Sequence, residues 1–184
     1  CVDRAAVAKP DASHAVIASE ARQSRSHVAV LDCFVAPLLA MTGKAMRLFL
    51  VAGEKSGDLL GAKLMQALRR LAPDATIEGV GGEAMAREGL TSLFPLEDIA
   101  VMGFTSVIAH VPRLLKRIDQ AAREIVAARP DALVIIDSPD FTHRVARKVR
   151  ALAPGIPIVD YVSPSVWAWR SGRAPKMRAY VDRV

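Results

Sequence analysis

Four short clusters in this chain each end an apolar run, and three of them carry side chains able to do chemistry. The sharpest is Asp137-Ser138-Pro139-Asp140, which comes directly after the wholly apolar Val134-Ile135-Ile136. A carboxylate emerging from a buried strand has limited solvation, which suits Asp137 to general-base work. Asp140 stands where it would cap a following helix. The second cluster, Tyr161 to Arg170, reads Tyr-Val-Ser-Pro-Ser-Val-Trp-Ala-Trp-Arg and holds both tryptophans and one of the two tyrosines. Hydroxyls, aromatic rings and an arginine just after the apolar run Ile158 to Val162 describe a ligand-facing loop at a strand end. The competing interpretation is that Trp167 and Trp169 pack as a lid on the core.

The third cluster, Gly53-Glu54-Lys55-Ser56-Gly57-Asp58 with Gly61 beyond it, combines glycines with a predicted helix start. Glycine lets backbone approach a ligand, and free N–H groups at a helix start can meet an anion. The spacing fits neither the dinucleotide fingerprint nor the P-loop. Taken alone, a tight turn with Ser56 or Asp58 as helix cap is the plainer account of it. The fourth, Gly79-Val80-Gly81-Gly82, offers close backbone approach or simply a turn. His110 and His143 have no ligand-like partner spacing and are expected at the surface or as caps. Cys1 and Cys33 form neither a disulfide framework nor a metal spacing, so the simplest setting is a reducing cytoplasm. No metal or cofactor is implied.

The elements that must position these clusters alternate between short apolar runs and longer amphipathic ones, the pattern of a parallel sheet with crossover helices. Strands are predicted at Arg47 to Ala52, Thr76 to Val80, Ala132 to Ile136 and Ile158 to Val162. Helices are predicted at Leu59 to Leu71, Ala84 to Glu88, Arg113 to Ala128 after Pro112, Phe141 to Leu152, and from about Lys176 onward. Leu93 and Phe94 form a brief extended piece before the loop Glu97 to Gly103. Every polar cluster then falls at the carboxyl end of a strand, where open parallel sheets bind ligands.

A chain of 184 residues, 52% hydrophobic and 24% charged, is an ordinary globular balance and excludes wholesale disorder. The longest apolar stretch, Val28 to Met41, is broken by Asp32 and Pro37 and is shorter than the roughly 20 residues a membrane span needs. A formal charge of +6 and a pI near 9.7 suit an anionic partner: nucleic acid, a phosphorylated metabolite or a membrane surface. Arg113, Lys116, Arg117 and Arg123 recur at helical spacing, which describes a solvated face or one that leans on anionic headgroups. Residues 1–45 show no sustained periodicity, and Met46 stands where the first clean strand begins. That segment is expected to be disordered or foreign to the fold, an upstream translation from a misplaced start. An ending at Val184 without a terminal strand or polar tail is expected of a truncated chain.

Taken together, Gly53-Glu54-x-Ser56-Gly57-Asp58, Gly79-Val80-Gly81-Gly82, Ala100-Val101-Met102-Gly103, Asp137-Ser138-Pro139-Asp140-Phe141 and the Tyr161 to Arg170 run resemble the lipid-A-disaccharide synthase family. The resemblance covers Met46 to Val184 and leaves 1–45 unmatched. It implies an α/β fold: a Rossmann-like parallel sheet with helices on both faces, the amino-terminal lobe of a two-lobed GT-B glycosyltransferase. The implied reaction joins UDP-2,3-diacylglucosamine to 2,3-diacylglucosamine 1-phosphate, lipid X. It inverts the anomeric centre and releases UDP and a β-1,6-linked disaccharide 1-phosphate.

By the same resemblance Asp137 is the catalytic base. The interlobe cleft is lined by Glu54, Ser56, Gly57, Asp58, Gly81, Gly82, Met102, Asp140, Ser163, Ser165, Trp167, Trp169 and Arg170. Partners are the two acylated sugars and the anionic inner face of the inner membrane of Gram-negative bacteria, with the enzyme cytoplasmic and peripheral. No nucleic acid or cofactor is implied, and self-association into a homo-oligomer is left open. Lys55 and Glu83 depart from the family pattern, both at loop positions. A carboxyl-terminal lobe would hold most nucleotide contacts, so this chain alone is expected to be inactive. The rival readings are another GT-B sugar-nucleotide enzyme and a non-catalytic basic module that binds membrane or nucleic acid.

Overall fold

β1 (Arg47–Ala52) buries every residue after its first, and β3 (Ala132–Ile136) buries all five. Strands apolar on both faces need cover on both faces. The computed structural model, which describes residues 45–99, 107–162 and 176–184, supplies it with helices on either side of a four-stranded parallel sheet. The strand order is β2-β1-β3-β4, where β2 is Thr76–Val80 and β4 is Ile158–Tyr161. Leu50 pairs with Gly79 on one side and Val134 on the other, and Ile135 pairs with Asp160. The expected Rossmann-like α/β architecture is the one observed, within a unit spanning Thr42–Val184.

The pleat sorts the strand residues. Phe49, Val51, Leu133, Ile135 and Ile158 join one core with Ile118, Ala121 and Ile125 of α3 (Val107–Ala128) and with Val145, Ala146 and Val149 of α4 (Pro139–Leu152). Leu48, Leu50 and Ala52 alternate with them and point to the other face. There α1 (Lys55–Leu71) and the short α2 (Glu83–Arg87) pack together.

Three strand spans agree with expectation residue for residue; β4 ends one residue earlier, at Tyr161, and Val162 follows with φ 98°. The helix starts differ more. α1 begins at Lys55 rather than Leu59, because the cluster Ser56-Gly57-Asp58 is helical instead of a loop. Two glycines in a helix cost roughly 1 kcal/mol each. Full burial of Leu64, Met65 and Leu68 contributes about 1.5–3 kcal/mol apiece and wins. α3 runs through Pro112 from Val107 instead of starting at Arg113. A proline in the second turn forfeits one backbone hydrogen bond, to the carbonyl of residue 108, and the buried Ile118, Ala121, Ala122 and Ile125 more than offset it. α4 begins at Pro139, two residues before the expected Phe141, since proline's fixed φ is well suited to the first helical position.

Ser92 bridges Gly79 where a brief extended piece was expected at Leu93 and Phe94, and a 3-10 turn follows at Leu96–Asp98. The expected terminal helix is a single turn around Lys176 to Tyr180. After it the chain comes back to the sheet, where Arg183 bridges Val159. Among the described residues no helix is long and apolar enough to cross a membrane.

Candidate active site

The strand order puts a topological switch between β1 and β3. From β1 the chain leaves in one direction to β2, then returns past β1 to β3. Ligands of open α/β sheets bind outside the carboxyl ends of the strands at such a point. Two of the four clusters flank it: Gly53 to Asp58 after β1, and Asp137 to Asp140 after β3.

These two clusters are joined across the switch. The Ser56 hydroxyl donates to Oδ2 of Asp137 at 2.6 Å, and the Ser138 N–H donates to Oδ1 at 2.8 Å. Each carboxylate oxygen thus spends one lone pair on the protein and keeps another. Asp137 is half-buried and Ser56 exposed, so the carboxylate is held yet reachable. Its backbone is unusual. Asp137 and Ser138 both lie in the left-handed region, φ 53° and 45°, a cost of order 1–3 kcal/mol each. The Thr142 hydroxyl, wholly buried, lies 2.6 Å from the Asp137 carbonyl oxygen and 3.0 Å from that of Ser138.

Gly57 makes the approach of α1 to this bend feasible. A Cβ there would lie 2.9 Å from the Ile136 carbonyl oxygen and 3.4 Å from Asp137 Cβ. Glu54 is the exposed residue that opens α1, without a side-chain capping bond, so neither Ser56 nor Asp58 caps its own helix. Nor does Asp140 cap α4. Ser138 occupies that position, and Asp140 sits exposed in the first turn, where a negative charge suits the helix dipole.

Asp58 is closed off from any ligand by burial. It is 5% exposed; its Oδ1 accepts from the N–H groups of Gly82 at 2.7 Å and Met85 at 3.0 Å, and its Oδ2 from that of Ala84 at 2.8 Å. A residue of α1 thereby caps α2. Gly82 allows this contact, since a Cβ on it would stand 2.7 Å from Asp58 Oδ2. Gly81 is buried and donates its N–H to the Ser92 hydroxyl at 3.1 Å, which in turn donates to the Phe94 carbonyl at 2.7 Å. The two glycines expected to approach a ligand therefore approach protein groups first.

Other expectations change as well. His143, read as a surface or capping residue, is 4% exposed and pairs through Nδ1 with the Tyr180 hydroxyl at 2.9 Å. Asp160 lies beside it, also buried. A carboxylate inside the apolar strand Ile158 to Val162 was the sequence signal for that partner. Arg117, expected to flank a membrane-facing stretch, is half-buried; it pairs with Asp98 and lies over the Phe94 ring, 4.9 Å from its centroid. Met102, Ser163, Ser165, Trp167, Trp169 and Arg170, as well as residues 1–44, lie outside the described residues.

The family model for lipid-A-disaccharide synthetase matches residues 48–184, from the first strand through the last turn. The chain belongs to the lipid-A-disaccharide synthetase family. Relatives named lipid-A-disaccharide synthase include one from Nitrobacter hamburgensis, 64% identical over 139 residues, which are 75% of this chain and 35% of the relative. Another, from Nitrobacter winogradskyi, is 61% identical over 146 residues, 79% of this chain and 37% of the relative. A third, from Rhodopseudomonas palustris, is 59% identical with the same coverage. The chain thus spans about a third of the length of these relatives. Within the lipid-A-disaccharide synthetase family match fall both halves of the switch, Ser56 and Asp137, and the buried carboxylates of Asp58 and Asp160.

Proposed function

We propose that this chain is the amino-terminal Rossmann-like lobe of an inverting glycosyltransferase of lipid A biosynthesis. The reaction joins UDP-2,3-diacylglucosamine to 2,3-diacylglucosamine 1-phosphate. The 6-hydroxyl oxygen of the acceptor forms a bond to the anomeric carbon as the bond from that carbon to UDP breaks. UDP leaves with the electron pair, and the hydroxyl proton goes to Asp137. The observation that carries this reading is the Asp137 carboxylate, oriented at the switch point by Ser56 and by the Ser138 N–H with lone pairs to spare. Membership of the family supplies the chemistry for which such a base is needed.

Glu54, Ser56, Gly57 and Asp140 border the same crevice, and by resemblance Met102, Ser163, Ser165, Trp167, Trp169 and Arg170 line it too. Asp58, Gly81 and Gly82 serve it indirectly, by holding the loop after β2. Diacylated substrates must be drawn from a bilayer, so the enzyme works as a peripheral protein on the cytoplasmic face of the inner membrane.

The test is Asp137→Asn in the full-length enzyme, which keeps the size of the side chain and removes the base. The variant is expected to fold, to bind UDP, and to transfer sugar at least about a hundredfold more slowly. Near-normal turnover would move the base to Asp140 or Glu54.

A further inference from the structure

The Asp137 carboxylate would be of little use as a base if it rotated freely or if its bend relaxed, and two hydroxyls from different places hold it. Ser56, at the start of α1, fixes the carboxylate by donating to Oδ2 at 2.6 Å. Thr142, in the first turns of α4, fixes the backbone, its hydroxyl reaching the carbonyl oxygens of Asp137 and Ser138. Those two consecutive left-handed residues turn their carbonyls inward, where Thr142 is the buried polar side chain that meets them.

We propose that Ser56 and Thr142 are positioning residues, acting on the reaction through Asp137 and not through contact with substrate. This differs from a direct substrate-binding role for Ser56, and it gives Thr142 a part in the site that its burial conceals. The proposal rests on Asp137 being the base. With one lone pair of each oxygen engaged by Ser56 and the Ser138 N–H, the remaining lone pairs have fixed directions in which an acceptor hydroxyl can donate. Loss of the Ser56 hydroxyl leaves Oδ2 without its donor, loss of the Thr142 hydroxyl loosens the bend that carries the carboxylate, and misplacement of a reacting group by about 1 Å costs on the order of a hundredfold in rate.

A double-mutant cycle in the full-length enzyme tests this. Ser56→Ala is expected to lower kcat about 10- to 100-fold with KM for both acylated sugars within about threefold, and Ser56→Thr to restore most of it. In the Asp137→Asn background, Ser56→Ala should change kcat by less than about twofold, because the group it positions is gone. Thr142→Val should behave like Ser56→Ala, with Thr142→Ser restoring activity. Three outcomes overturn the proposal: an equal loss from Ser56→Ala in both backgrounds, which means direct contact with substrate; a loss confined to KM; or no loss in either hydroxyl variant. Failure of the base assignment shows separately, as near-normal turnover of Asp137→Asn alone. Should Thr142→Val fail to fold, Thr142→Cys, close in size and a far weaker donor, takes its place, and normal turnover of that variant removes Thr142 from the site.

Discussion

Nε2 of His143 stands 3.5 Å from Oδ2 of Asp160, and the two side chains are about 5% and 2% exposed. The carboxylate oxygen has no hydrogen-bond partner among the described residues. The other ring nitrogen, Nδ1, is paired with the Tyr180 hydroxyl, and the Tyr180 ring also carries Arg147 at 4.8 Å. α4, β4 and the terminal turn are thereby linked through one polar cluster under the sheet edge. Losing one partner of a buried polar pair leaves the other unsatisfied, at about 1–3 kcal/mol. Asp160→Ala in the full-length enzyme should therefore lose at least about 1 kcal/mol of unfolding free energy, and the double variant His143→Phe with Asp160→Leu should lose clearly less. Denaturant melts of the three proteins measure this; equal losses would mean that packing volume, not the polar pair, is what matters.

Asp58 offers a contrasting case, a carboxylate satisfied by three backbone N–H groups. Asp58→Ala would strand the amides of Gly82, Ala84 and Met85, and a buried unsatisfied group costs about 1–3 kcal/mol. The expected result is a loss of at least about 3 kcal/mol by chemical denaturation, with kcat of the folded fraction within about threefold of the parent. A fall in turnover at unchanged stability would return Asp58 to direct contact with substrate.

On α3, Val111 and Leu115 are 43% and 47% exposed one turn apart, with Arg113 and Lys116 exposed beside them. Apolar side chains flanked by cations suit an anionic bilayer surface. Full-length enzyme should bind anionic vesicles more weakly as salt rises, and Val111→Ser with Leu115→Ser should weaken binding at least about tenfold. Sedimentation with vesicles reads both, and equal binding to neutral vesicles at every salt concentration would remove this surface from consideration.

Tyr161, half-buried at the end of β4, has its phenol pushed above the usual value of 10 by burial. The folded chain then keeps a proton that the unfolded chain gives up. The associated stability is whole below pH 10 and is lost as the pH rises through the folded value. Alkaline titration of phenolate absorbance should show a step above pH 10 that is missing in Tyr161→Phe. A single step at the ordinary tyrosine value would mean that the ring is solvated.

Four strands, their parallel architecture and the polar loops at their carboxyl ends were legible in the sequence because they depend on local apolar runs whose length and order survive into the fold. Asp137 was legible for the same reason, as the first polar residue after a strand buried on both faces. What tertiary structure alone decided is which polar groups meet. The hydroxyls of Ser56 and Thr142 reach Asp137 from 81 and 5 residues away, and Asp58 reaches the amides of α2 from 24 to 27 residues away. His143 finds Tyr180 across 37 residues. A hydroxyl or carboxylate pairs with whatever donor or acceptor the packed helices bring within about 3 Å. That proximity is set by close approaches such as Gly57 on Ile136 and Gly82 on Asp58, and it leaves no period or spacing in the chain.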